Sequence, residues 1–381
     1  PIMLYFFSEV PVYSVLLNLS VVPLMSILLF FLIVTAVLGS VSLAFGVVTA
    51  FPAKGIFACY QFLCRCCEQI PGHTICTGRP GVMWIVGYYL LLAVVIWMGY
   101  RQRYRMQMMF LCFLLSLFGL FYLPGPLRIC MFDVGQGDGI FLKMPSGENI
   151  LIDGGSSSVK KVGSYVLKNG IKYYGGARLD YVFVSHSDSD HYSGIAELLE
   201  EPTVTIRYLV MPAITNPDEA YQQLVAKAKQ KGSVIYYMKT GDQVKIGEVS
   251  FLCMNPEKRG YEDKNQGSMV LYMQYRKFTA LFTGDMDAEI EAKLLPELPE
   301  QITVLKVAHH GSATASSEEF LQRISFQTAL VSVGAKNRYG HPAREVMERL
   351  RKYCKQIYLT KDVGGITIDS DGRQYRIRTV R

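Results

Sequence analysis

Four side chains of the kinds that bind divalent metals fall within His186-Ser-Asp-Ser-Asp-His191: His186, Asp188, Asp190 and His191. The apolar run Tyr181-Val-Phe-Val184 comes just before them and reads as a buried strand. A strand ending in such a cluster sets imidazoles and carboxylates at the mouth of a sheet, where two ions can lie close together. Paired ions activate water and stabilise both the attacking and the leaving oxygen of a displacement. The plainer alternative is a polar turn, but ligand types rarely gather at this density by chance.

Other strand ends repeat the pattern. Ile150-Leu-Ile-Asp-Gly-Gly155 closes on Asp153, which can bind backbone amides or orient a ligand histidine from behind. Leu281-Phe-Thr-Gly-Asp285 closes on Asp285, the candidate for a carboxylate shared by two ions; alone it would read as a turn or a helix cap. Val304-Leu-Lys-Val-Ala-His309-His310-Gly-Ser312 carries two histidines. Adjacent strand side chains point apart, so one is expected to hold metal and the other to meet substrate or an outer partner. Ser312 is a candidate contact for a phosphate oxygen. His341, in Tyr339-Gly-His-Pro342, is open to three roles (ligand, proton donor, phosphate contact) or to simple stacking on Tyr339. Asn265 and Ser268 read as turn residues, and His73 receives no role.

The elements that must position these groups fill only part of the chain. Residues 1–127 hold six Lys/Arg and two Asp/Glu, whereas 128–381 hold 33 and 30. No charge occurs between Glu9 and Lys54, enough for two short membrane spans or one long span with an interfacial piece, and Pro23 and Gly39-Ser40 are the candidate breaks. Residues 55–70 suit an amphipathic surface helix. Spans are expected at 82–100, with Trp84, Tyr88, Trp97 and Tyr100 as interfacial anchors, and at 106–123, closed by Pro124-Gly-Pro126. Between them lies the basic loop Arg101-Gln-Arg103-Tyr-Arg105. The positive-inside rule puts that loop in the cytoplasm and everything from Leu127 onward on the far side. The opening Pro1, inside an apolar pattern, suggests a piece of a longer protein.

From 128 onward short β-type runs alternate with helical stretches. Strands are expected near 128–134, 139–143, 150–153, 249–254, 269–275 and 279–282. Helices are expected near 194–200, 218–231, 287–295, 317–324 and 343–352. This alternation is that of a layered α/β domain. The net charge of +7 is too mild to indicate nucleic acid by itself. Of nine cysteines, Cys59, Cys64, Cys66, Cys67, Cys76 and Cys112 lie in the apolar third and read as small apolar residues; Cys130, Cys253 and Cys354 are too scattered for a disulfide framework.

Taken together, the chain resembles the metallo-β-lactamase fold, an αββα sandwich, here preceded by transmembrane helices. Within that fold it is similar to the C-terminal part of the ComEC-type DNA-internalisation family of competent bacteria. The motifs are Asp133-Val-Gly-Gln-Gly-Asp138, Leu151-Ile-Asp-Gly-Gly155, Ser185 to His191, Asn265-Gln-Gly-Ser268, Phe282-Thr-Gly-Asp285, Leu305 to Ser312, and Ser332-Val-Gly334 through Tyr339-Gly-His-Pro342. Leu17-Asn-Leu-Ser-Val-Val-Pro-Leu24 adds a weaker likeness to the family's membrane domain. The resemblance implies two domains: 1–127, the end of a multi-pass channel domain in the cell membrane, and 128–381, an extracytoplasmic hydrolase.

The usual His-x-His-x-Asp-His of the superfamily has Asp188 in place of its second histidine, and no extra histidine lies just before the strand leading into Thr283, where Asn265 and Ser268 stand. One implied ion site is therefore His186, Asp188 and a bridging Asp285; the other is Asp190, His191, Asp285 and His310 or His309. The oxygen-rich first site favours Mn²⁺, with Zn²⁺ the alternative. The implied activity is metal-dependent hydrolysis of one DNA strand while the other crosses the membrane, alongside other DNA-uptake proteins. Asp190 would handle the attacking water, and His309 or His341 the leaving oxygen. Asn265 and Ser268 would act from the surroundings of the site. Lys143, Lys160, Lys161, Lys168, Lys172, Lys306 and Lys336 are candidates for a DNA-backbone path. Two rival readings stand beside this one: a membrane-tethered hydrolase of another phosphodiester, such as a phosphorylcholine group, and a non-catalytic domain that guides DNA.

Overall fold

The structure is a computed structural model describing residues 1–68, 70, 74–101, 104–119 and 125–381. His73, Arg103, Pro124 and residues 120–123 of the span expected at 106–123 lie outside the described residues. Chain contacts divide into two compact units, Pro1–Ile85 and Val86–Arg381.

In the first unit, α1 (Ile2–Phe7) leads into β1 (Glu9–Pro11), and α2 (Ser14–Val41) and α3 (Leu43–Glu68) follow. Then β2 (Thr74–Cys76) pairs antiparallel with β1, Glu9 opposite Cys76. The break between the long helices falls at Ser42, whose backbone is extended; Pro23 lies inside α2 and Pro52 inside α3. The helices close on each other where they carry glycine: a Cβ on Gly46 would sit 2.8 Å from Gly39 Cα. Residues 55–68 of the surface helix expected over 55–70 form the second half of α3. Polar side chains return their hydrogen bonds to the helix backbone, Ser40 Oγ to Val37 O at 2.7 Å and Thr49 Oγ1 to Phe45 O at 2.8 Å. This is the arrangement a lipid environment demands. Segments Leu17–Val41, Leu43–Cys67 and Val82–Tyr100 are long and apolar enough to cross a membrane. The last of these is α4 (Val82–Tyr100), and α5 (Tyr104–Gly119) follows.

Two mixed sheets make up the rest. The strands of the first are β3 (Leu127–Met131), β4 (Gly139–Lys143), β5 (Asn149–Gly154), β6 (Arg178–Phe183), β7 (Thr205–Pro212), β8 (Val234–Met238), β16 (Ile366–Ser370) and β17 (Tyr375–Thr379), in the order β17-β16-β3-β4-β5-β6-β7-β8. The second holds β9 (Gln243–Ile246), β10 (Val249–Asn255), β11 (Val270–Tyr275), β12 (Phe278–Phe282), β13 (Gln301–Lys306), β14 (Ser325–Val331) and β15 (Gln356–Leu359), in the order β15-β14-β13-β12-β11-β10-β9. Each sheet is antiparallel over its hairpins and turns parallel from β5 or β12 onward.

Phe183, Phe251, Met273 and Val304 pack between the sheets. Outside the first sheet lie α6 (Lys168–Tyr173), α7 (Ser189–Leu198) and α8 (Glu219–Gln230), with Ile171, Ile195 and Leu224 buried against it. Outside the second lie α9 (Ala288–Leu294), α10 (Glu318–Arg323) and α11 (Arg344–Tyr353), through Ile290, Phe320 and Leu350. The result is the expected helix–sheet–sheet–helix sandwich. Side-chain caps fix where three helices start: Asp218 accepts from Tyr221 N, Asp287 from Ile290 N and Ser317 from Phe320 N. Asp287 thus takes the capping role open to Asp285 in the sequence, and Asp285 is left for the site.

Candidate metal centre

The candidate groups converge where β5, β6, β12, β13 and β14 end, at the carboxyl edge of the parallel strands of both sheets. Asp153 ends β5 in a left-handed conformation (φ 55). Its Oδ1 accepts from Ser185 N at 2.7 Å, and its Oδ2 lies 3.0 Å from His191 Nδ1. That contact assigns the Nδ1 proton to the Asp153 side and turns Nε2 toward Asp285. The Ser185 hydroxyl sits between His186 Nδ1, at 3.0 Å, and His191 Nδ1, at 3.3 Å.

Asp285 is the hub. Its Oδ2 is 3.2 Å from His191 Nε2, 3.6 Å from His310 Nε2 and 3.7 Å from His309 Nε2. Ser268, wholly buried, accepts from Asp285 N at 3.3 Å and so supports the hub from behind. His310 Nδ1 is 2.9 Å from the Ser332 carbonyl, and its Nε2 is 3.6 Å from Asp190 Oδ2. The two adjacent histidines are not alternating strand residues. Both have positive φ (49 and 54) in a tight turn after β13, a conformation that costs energy without glycine. The turn buries His310 and leaves His309 partly open, with both Nε2 atoms near Asp285 Oδ2.

His186 Nε2, His191 Nε2, His310 Nε2, His309 Nδ1, Asp285 Oδ1 and Asp138 Oδ1 are buried yet have no hydrogen-bond partner. Each such group costs about 1–3 kcal/mol unless something satisfies it. Ligand atoms of His186, His191 and Asp285, and of Asp190, His191 and His310, lie close enough together to share an ion. Imidazole nitrogens with carboxylates are the donor set of Zn²⁺ and Mn²⁺ sites. The residues therefore fit a divalent metal.

Electrostatics point the same way. Burial alone would raise the Asp285 carboxyl, but positive charge on His191, His310 and Lys306 outweighs it and holds the group well below the ordinary carboxylate range. Burial would lower His191, but Asp285 and Asp153 push it well above the ordinary histidine value. A histidine binds metal through an unprotonated nitrogen, so metal binding here is linked to proton release. His309 moves the other way, lowered chiefly by burial. His341 is lowered by burial and then by the positive charge of His309 and His310.

The remaining candidates occupy the rim. Asp188 lies 3.6 Å from His186 Nε2, but its other oxygen is held at 3.0 Å by Lys264, which also grips Asp218 at 2.8 Å. His341 stacks on Tyr339 with ring centroids 5.8 Å apart and meets His309 edge-on at 5.7 Å. The Ser312 hydroxyl is engaged inside its own loop, 3.0 Å from Thr314 Oγ1. Asn265 donates its backbone N–H to Asp263, and its Oδ1 is buried without a partner.

Two residues of the centre were not assigned from sequence. Asp138, one per cent exposed, lies 3.7 Å from His191 Nδ1 and 3.6 Å from His310 Nδ1. An acid directly before a strand of buried type was its available signal. Lys306 is also one per cent exposed and ion-paired with Asp138, so it cannot line a DNA path; Lys172 is buried as well. A lysine inside the apolar run Ile302–Ala308 was the clue, since lysines buried at that depth are paired.

A model of the metallo-beta-lactamase superfamily matches residues 132–335, and a competence protein model matches residues 1–102. The chain is 28% identical to ComE operon protein 3 of Bacillus subtilis (strain 168), over 96% of this chain and 49% of that protein. It is 28% identical to Recombination protein 2 of Haemophilus influenzae, over 68% of this chain and 31% of that one. It thus spans about half the length of these relatives or less. Among solved structures, the metallo-beta-lactamase fold protein YhfI from Bacillus subtilis superimposes with a TM-score of 0.42 at 12% identity, covering 61% of this chain and 95% of that one.

Proposed function

The chain belongs to the metallo-beta-lactamase superfamily, and from that premise we propose that it hydrolyses DNA phosphodiester bonds with two divalent ions, as part of a DNA-uptake channel in the cell membrane. The observation carrying this reading is the convergence of unpartnered, buried His186, His191 and His310 Nε2 atoms around Asp285. The choice of DNA draws on the competence protein model that matches residues 1–102, on a relative named for recombination, and on the apolar helices of 1–100. The basic loop at Arg101–Arg105 supports an extracytoplasmic hydrolase domain over 128–381, preceded by the end of a channel domain over 1–127.

His186, His191, Asp190, Asp285 and His310 would hold the ions, Mn²⁺ at least as well as Zn²⁺. Asp188 would join them on leaving Lys264. When bound, the ions supply a nucleophilic hydroxide at neutral pH and charge stabilisation of the phosphoryl oxygens. The residues do the rest. Asp190, a half-buried carboxylate beside His310, takes the proton of the attacking water as the new P–O bond forms. His309 and His341 can each donate an N–H hydrogen bond to the oxygen that leaves as the old P–O bond breaks, and that oxygen takes its proton from solvent water. Asp153 fixes His191, and Ser268 fixes Asp285. Lys264 and exposed lysines such as Lys160 and Lys336 would meet the DNA backbone.

The rival, a tethered hydrolase of another phosphodiester, would use the same ligands; the several apolar helices of 1–100 favour the channel reading, since a tether needs only one span.

The test uses the chain in detergent micelles, stripped of metal and given labelled single- or double-stranded DNA with Mn²⁺ or Zn²⁺. Asp190→Ala and a phosphorylcholine ester are the controls. Metal-dependent DNA cleavage lost in Asp190→Ala is the expected result. Cleavage of the ester alone, or no turnover by folded, metal-loaded protein, would overturn the reading; the second result would favour a guiding domain.

A further inference from the structure

Lys306 ends β13 on the side of Val304, facing the space between the sheets. Its ammonium meets oxygens from three directions. It is ion-paired with Asp138, donates to the Gly284 carbonyl at 3.0 Å, and lies 3.8 Å from Asp285 Oδ1. Asp138 comes from the opposite sheet, directly before β4. Its second oxygen, Oδ1, is 3.6 Å from His310 Nδ1, is buried, and makes no hydrogen bond. Asp138, Asp285 and His310 therefore form a third group whose ligand atoms are close enough together for one ion. Burying an ammonium there is costly, and an apolar side chain of similar length would brace the two sheets without that cost.

We propose that the Lys306 ammonium is a tethered cation that fills the Asp138–Asp285–His310 group in place of a metal, and so confines the ions to the histidine side of Asp285. It acts in two ways. It neutralises Asp138, which would otherwise be one more carboxylate free to bind an ion. It also draws on Asp285 Oδ1 and leaves Oδ2 facing His191, His309 and His310. Lys306 is thus a positioning residue that sets how many ions the centre takes. The inference rests on the cluster being a metal centre and not on DNA being the substrate. Its readout is ion count, so it stands or falls separately from the nuclease reading.

The experiment dialyses the full chain in detergent against Mn²⁺ and counts ions per chain by elemental mass spectrometry, with binding curves by calorimetry. Lys306→Met is expected to take up one ion more than the unaltered chain. Lys306→Arg keeps the original count, and Lys306→Met with Asp138→Asn returns to it. A residue serving only as a strut between the sheets would lower the melting temperature in these variants and leave the count alone. The proposal is overturned if Lys306→Met binds the same number of ions with unchanged Kd, or if the extra ion survives Asp138→Asn. Should Lys306→Met fail to fold, Asp138→Asn alone decides. It releases the ammonium toward Asp285, and Mn²⁺ should then bind about tenfold or more weakly, the scale of losing an outer partner of a ligand. Unchanged affinity there also overturns the proposal.

Discussion

The floor of the site and its rim use the same residue types under different rules. On the floor, His186, His191, His310, Asp138, Asp153, Asp285 and Lys306 are all buried. There each orienting atom has a fixed protein partner, and each unsatisfied one faces the others. On the rim, Asp188 is 42% exposed and answers to Lys264, itself 47% exposed, while His341 leans on Tyr339. Burial forces the floor into one arrangement, because an unpaired polar group there has no water to turn to. The rim can trade partners, as groups that meet a substrate must.

The sharpest way to break this comparison is to make one change on each side. Asp285→Asn removes the charge that faces the histidines. Its loss of Mn²⁺ affinity and of DNA cleavage should exceed the roughly 10–100-fold typical of an outer partner. Asp188→Asn should cost far less by calorimetry and by rate, and equal losses would erase the distinction. Next in size is Asp153→Asn, which loosens His191 without touching a ligand atom. Metal affinity should fall by about 10–100-fold, read by calorimetry.

These contrasts also explain what the sequence made legible. His186, Asp190, His191, Asp285 and His310 stood out because ligand types follow buried strand runs. The sandwich was legible from strands alternating with helices, and the helices expected from 218, 287 and 317 begin within one residue of those positions. Asp138 and Lys306 were missed because their meaning is mutual. They lie 168 positions apart in opposite sheets, and only the packing of sheet on sheet brings them together. Lys306 looked like a surface lysine because charge reads as exposure until a partner is seen. The positive φ of His309 and His310 was hidden too, since residues directly after a buried strand run read as its continuation. In the apolar unit, charge spacing could not tell one helix from two. Ser42, an unremarkable residue in sequence, is where the chain turns extended.

A smaller effect concerns pH. His341 titrates below the ordinary 6.5 when folded, so the unfolded chain takes up its proton first as pH falls. The stability of metal-stripped protein should therefore drop as pH falls from 6.5 through the lowered value and carry the full penalty below it. His341→Gln should flatten that part of the slope, read as urea midpoints at successive pH values. An unchanged slope would move His341 out of its half-buried setting. The smallest effect is expected for Lys264→Met. A pair this exposed contributes at most about 1 kcal/mol, so the urea midpoint should hardly move. A large loss would make Lys264 part of the floor.

The most direct test of the metal centre is anomalous diffraction from crystals soaked with Mn²⁺. Two peaks that share Asp285, one beside His186 and one beside His310 and Asp190, are the predicted result. A single peak, or peaks away from His191 and Asp285, would contradict the two-ion account.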